Sequence, residues 1–270
     1  MTGGTLVARV IPRPHRSGTR AQRLIERNVM VYRRTWILLL SGFFEPVFYL
    51  FSIGIGVGQL VGDVQLPDGT TVSYAAFVAP ALLATSAMNG AIYESTFNIF
   101  FKLRYGKLYD AVLATPMTTA DVAIGEIGWA QIRGSLYSIG FIVVMAAFGF
   151  VESWWGILAL PAAVLIGFAF GAVGMAATSW MKSWQDFDLI QLFILPMFLF
   201  SGTFYPLDVY PQFLQNIIRL SPLYHGSELI RAFTLGRFDA SLWGHALFLV
   251  VMGLVGVTVA SRRLRVLLLK

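Results

Sequence analysis

Six stretches of the chain are almost wholly apolar, at about 36–61, 74–97, 122–150, 155–180, 189–204 and 242–260. Most approach or exceed the about 20 residues that a helix, rising about 1.5 Å per residue, needs to cross a hydrocarbon core of about 30 Å. The pattern therefore predicts six membrane-spanning helices. The polar stretches between them are unequal. Residues 19–34 place Arg20, Arg23, Arg27 and Arg34 on one helical face, with Leu24 and Val31 on others. That arrangement reads as a helix lying along the inner membrane surface, or as a solvated basic lead-in to the first span. Residues 101–121, FKLRYGKLYDAVLATPMTTAD, carry Lys102, Arg104 and Lys107 ahead of a short amphipathic segment, 108–115, that stops at Pro116. The outer stretch 202–241 stays apolar, and its segments 211–220 and 223–233 read as half-helices dipping into the outer leaflet. The organisation expected is a cytoplasmic arm and interfacial helix over 1–35, a six-helix domain over 36–262 and a cytoplasmic tail over 263–270.

An even number of spans puts both termini on one side, and lysine and arginine decide which. Sixteen of the 20 basic residues lie before the first span, in the 101–121 and 181–188 links, or after the last span. By the positive-inside rule both termini are cytoplasmic. Composition agrees with a membrane protein: 57% of the 270 residues are hydrophobic and 13% charged, against about 25% charged in a soluble domain. The net charge of +6 follows from topology, and nucleic acid is not expected as a partner. The start, MTGGTLVARVIPRPHRSGTR, does not read as a cleaved signal peptide.

The chain has no cysteine, which excludes thiol catalysis and cysteine-ligated metals. His15, His225 and His245 form no metal-ligand spacing, so neither a metal nor a cofactor is expected on this chain. The one Gly-Lys pair, Gly106-Lys107, lacks the spacing of a phosphate-binding loop, so no ATPase activity is expected. Gly54, Gly56 and Gly58 lie within a span and read as close helix packing. Asp186 and Asp188 point different ways on a helix and suit a helix start. Trp154, Trp155, Tyr205, Tyr210, Tyr224 and Trp243 suit the outer boundary.

Charges inside spans cost about 2.5–3.5 kcal/mol each on insertion scales, so each is a candidate for function. Glu45 is followed by Pro46. Glu94 sits near the inner end of the second span, and Glu126 and Arg133 in the third are seven apart, with only loose or water-bridged pairing expected between them. Two readings stand for Glu94 and Glu126, a polar pathway or an interfacial role orienting the 101–121 loop. His225 with Glu228 reads as a proton-relay fragment or as part of an aromatic interfacial hairpin.

FEPVFYLFSIGIGVG, YAAFVAPALLATSAMNGAIYES, LYDAVLATPMTTADVAIGEIGWA and LPMFLFSGTFYPLDVYPQFLQNIIRLSPLYHGSELIRAFTLG together resemble the permease subunits of type-2 ABC exporters. The likeness is to the nodulation-factor branch and its drug- and polysaccharide-exporting relatives, over nearly the whole chain. It implies an all-α bacterial inner-membrane protein that exports an amphiphile (a lipid-linked saccharide, a glycolipid or a drug). ATP and Mg would sit on a separate ATP-binding subunit, present in two copies, and a second permease, a copy or a paralogue, would complete the path. Carried over by position, Tyr109, Asp110, Ala111, Val112, Leu113, Ala114 and Thr115 form the coupling helix that docks into that subunit, with Pro116 ending it. The path is expected along spans one, two and five, where Glu45, Phe48, Phe51, Met88, Asn89, Phe198 and Phe200 are candidates for its lining or gate. Two rivals remain open: an ion-coupled carrier using Glu45 and Arg133, and a membrane-embedded lipid enzyme using His225 and Glu228.

Overall fold

The structure, a computed structural model, describes residues 17–33, 44, 46–66 and 69–268. Glu45, Arg34, the arm before residue 17 and the expected start of the first span lie outside the described residues.

The chain is almost entirely helical. Helix α1 is Ser17–Arg33, α2 is Pro46–Val61, α3 is Tyr74–Tyr105 and α4 is Leu108–Leu113. They are followed by α5, Thr119–Ala147, α6, Trp154–Thr178, and α7, Asp186–Phe200. Helices α8, Gln212–Leu220, α9, Pro222–Leu235, and α10, Ser241–Leu268, complete the chain. Among the described residues, four helices are long and apolar enough to cross a membrane: α3, α5, α6 and α10. Helices α2 and α7 are apolar but shorter. The 15 residues of α7 reach only about 22 Å at about 1.5 Å each.

Helix α6 is the hub, packing on α3, α5, α9 and α10. Small residues let these helices approach closely, as is usual where apolar lipid gives helices little reason to associate otherwise. A Cβ on Gly256 of α10 would stand 2.8 Å from the Ala172 carbonyl carbon and the Val173 nitrogen, so only glycine allows that crossing. The same device seats α1. A Cβ on Gly125 of α5 would meet Leu24 Cβ at 2.8 Å and the Ala21 carbonyl at 3.0 Å. Ala21, Leu24 and Asn28 are accordingly buried, while Val29, Met30 and Val31 are exposed on the far side.

Several boundaries differ from the pattern reading. The second apolar stretch does not end near Phe97: α3 runs 32 residues to Tyr105, because Glu94, Asn98 and Lys102 find partners inside the fold. The fifth stretch starts earlier and ends at Phe200. Asp186 accepts the backbone N–H groups of Lys182 (2.7 Å) and Ser183 (3.1 Å), and these bonds hold its carboxyl below the usual range. The expected separate tail at 263–270 continues α10 as far as Leu268, with Arg263 over the Trp180 ring at 4.8 Å. The link between α2 and α3 contains an antiparallel hairpin of β1, Asp63–Gln65, and β2, Thr71–Ser73, with Val64 facing Val72.

Candidate functional site

The residues between the second and third apolar stretches build a small projecting element. Lys107 adopts a left-handed backbone (φ +42°), the one positive φ outside glycine among the described residues. This turns the chain sharply out of α3 into α4. Helix α4 ends at Leu113, and a turn over 114–116 completes the shape expected of 108–115. The Thr118 hydroxyl and the Asp121 carboxylate then cap α5 reciprocally, fixing the exit.

The two faces of α4 differ completely. Asp110, Ala111, Ala114, Thr115 and Pro116 are exposed, Val112 and Leu113 are half-buried, and Tyr109 is fully buried. Tyr109 therefore belongs to the seat of the helix and not to its outer surface. Its hydroxyl donates to Glu126 Oε1 at 3.2 Å. Burial first, and the adjacent Glu126 charge second, push the phenol well above its ordinary pKa, so it remains a neutral donor. At the other end, Arg20 of α1 donates to the Pro116 carbonyl at 2.5 Å.

Beside α3 lies a cavity of about 680 Å³, open on one side. Its walls come from α1, α2, α3, α5 and α7. Its lining includes the aromatic and aliphatic side chains of Tyr49, Phe198, Ile194 and Leu195 and the polar ones of Glu94, Asn98, Arg133, Tyr32 and Tyr137. Glu94 and Arg133 form an ion pair at 2.5 Å. Arg133 also donates to the hydroxyls of Tyr137 (2.8 Å) and Tyr32 (3.2 Å) and lies over both rings, 5.2 Å from Tyr32 and 5.6 Å from Tyr137. A guanidinium so saturated sits stably in an apolar surround. Asn89 lines the cavity as well, and its Oδ1 is buried with no hydrogen-bond partner among the described residues.

Of the expected path residues, Asn89, Phe198, Glu94 and Arg133 meet in this cavity. Met88 is buried in the core. Phe48 and Phe51 are exposed on α2, Phe51 against Phe148, and Phe200 is exposed against Tyr210. Glu126 pairs with Lys102, at 2.7 Å, and Arg133 with Glu94. One long-range arrangement had no signal in the sequence. His225 and His245 meet with their Nδ1 atoms 2.7 Å apart, and Glu228 pairs instead with Arg231. Arg231 pins α9 inward, donating to the carbonyls of Gly202 (2.8 Å) and Phe77 (3.3 Å).

The family model described as ABC-2 type transporter matches residues 19–235. The chain belongs to that family. Nodulation protein J of Rhizobium leguminosarum bv. viciae is 36% identical over 245 residues, covering 88% of this chain and 92% of the relative. Nodulation protein J of Rhizobium meliloti (strain 1021) is 36% identical over 213 residues, 78% of this chain and 79% of the relative. The inner membrane transport permease YadH of Escherichia coli (strain K12) is 26% identical over 221 residues, 80% and 83% of the two chains. The chain is thus a transmembrane permease of the ABC-2 type with bacterial relatives, a class of membrane subunit that is not itself the ATPase. Membership implies an ATP-binding subunit and another permease as partners.

Proposed function

We propose that this chain is the permease subunit of a bacterial ABC exporter, moving an amphiphile outward with energy from ATP hydrolysed on another chain. Helices α2 and α7 join α3, α5, α6 and α10 as six spans of the inner membrane, with both termini in the cytoplasm. Helices α8 and α9 form the outer-leaflet hairpin. Two permeases, copies or paralogues, pair with two ATP-binding subunits, which hold ATP and Mg. The side-open cavity is the cargo's path: its aromatic and aliphatic lining suits an apolar tail, and its Arg133–Glu94 pair suits a polar head such as that of a lipid-linked saccharide, a glycolipid or an amphiphilic drug.

The observation that carries this reading is α4, a six-residue helix whose inner residue is locked and whose outer face is unpartnered. Such an element transmits a push rather than absorbing it. The test is reconstitution with its ATP-binding subunit. ATP-dependent, vanadate-sensitive flipping of a fluorescent glycolipid is expected, untouched by ionophores and abolished by Asp110→Arg or Ala111→Trp. Export driven by an ion gradient without the ATP-binding subunit would overturn it.

A further inference from the structure

The cavity floor and the seat of α4 are built from the same three helices, one rung apart. On α3, Glu94, Asn98 and Lys102 recur every four residues; on α1, Asn28 and Tyr32 do the same; on α5, Glu126, Arg133 and Tyr137 share one stripe. The rung at the cavity joins Glu94 and Asn98 of α3 to Arg133 and Tyr137 of α5 and Tyr32 of α1. The rung at the docking helix converges on one carboxylate. Glu126, 2% exposed, accepts from Lys102 Nζ (2.7 Å), Asn28 Nδ2 (3.2 Å) and Tyr109 Oη (3.2 Å). At both rungs α3 is wound wide, with π-helical turns at Glu94–Asn98 and Phe101–Tyr105. Wide turns of this kind frequently sit at functional positions. Recovering a normal α-turn there would rotate one rung against the other by about 100° per residue of register.

Resting on the reading that α4 docks the ATP-binding subunit, we propose that Glu126 is a relay residue: through its shared carboxylate, the position of α4 sets the Glu94–Arg133 pair at the cavity. A push on α4 draws Tyr109 away from Glu126. The carboxylate then has only Lys102 and Asn28 as partners, so α3 and α1 shift with it and the wide turns of α3 take up the rotation. The Glu94–Arg133 pair, one rung away on those same helices, is moved in turn. The link runs both ways, so a cargo that loosens Arg133 from Glu94 also loosens the seat of α4.

The absence of cysteine makes the test direct. Ser86→Cys places this chain's one thiol in the cavity wall. In the reconstituted complex, labelling by fluorescein maleimide is timed with and without ATP and vanadate. Nucleotide is expected to change the rate by about fivefold or more, and Glu126→Gln or Lys102→Met is expected to abolish the change. The double variant should be no worse than either single one, since one link is being cut twice. Where a single variant does not assemble with the ATP-binding subunit, the double variant, which leaves no buried charge alone, gives the same comparison. An undiminished nucleotide effect in these variants overturns the relay, and so do losses that add. No nucleotide effect in the Ser86→Cys chain itself overturns the relay together with the docking of α4.

Discussion

Two ion pairs bridge the same two helices, and their surroundings differ. Glu94–Arg133 opens onto the cavity, with Arg133 23% exposed, whereas Lys102–Glu126 is closed in beneath α4, with Glu126 2% exposed. At the cavity the cation is the crowded partner, shared by a carboxylate and two tyrosine hydroxyls. Under α4 the anion is the crowded one, shared by three donors. A saturated cation facing open space can exchange one partner for a ligand's polar group. A saturated anion in a closed site can only hold its donors together. One pair is suited to meeting a cargo and the other to fastening helices.

The sharpest break of this contrast is to remove each crowded group in turn. Glu126→Leu strands Lys102 as a buried cation and leaves Asn28 and Tyr109 without their acceptor. Loss of one member of a buried pair costs about 3–5 kcal/mol, so thermal unfolding in detergent should fall sharply. Arg133→Met leaves Glu94 beside an open cavity where water enters, and the expected loss is about 1.5–3 kcal/mol, that of hydrogen bonds to a charged group. Equal losses, or the reverse order, would show that the two sites are not distinguished by closure.

A smaller effect is expected from Gly125→Val, which touches neither pair. The new side chain would press on Leu24 and the Ala21 carbonyl and lift α1 away from α5, at a cost of about 1–3 kcal/mol for overpacking. Because Asn28 and Tyr32 leave with α1, the rung under α4 loses a donor and the rung at the cavity an acceptor together. Faster proteolytic cleavage within α1 would report this, and an unchanged cleavage rate would show that α1 holds on through its polar bonds alone.

The hydrophobic pattern made four long apolar helices, the helices α8 and α9 and the short α4 legible, because long apolar periods and a proline stop are local signals. Positions 108–116 could be assigned to a docking element from likeness, yet the inward turn of Tyr109 could not. It depends on Glu126, 17 residues further on, being brought beneath it. Glu94, Glu126 and Arg133 stood out as costly charges, but their pairing did not. The seven-residue interval on α5 suggested Glu126 with Arg133, whereas α3 runs alongside and offers each a nearer partner every four residues. Lys102, counted as an inner-face positive charge, is half-buried and paired with Glu126. Long-range pairings such as His225 with His245 depend on how helices cross, which no local pattern records.

The finest distinction rests on single hydroxyls. Tyr109→Phe removes one donor to Glu126 in a closed site, where nothing replaces it, and a loss of about 1 kcal/mol is expected. Tyr137→Phe removes the acceptor of Arg133 Nε at 2.8 Å, but that nitrogen borders the cavity and water can take the place of the hydroxyl, so the loss should be smaller. Both changes keep the ring, and therefore the packing. The difference in unfolding temperature then reads closure directly: a Tyr137→Phe chain destabilised as much as Tyr109→Phe would place the cavity floor out of reach of water, and the cavity could not be the polar end of a transport path.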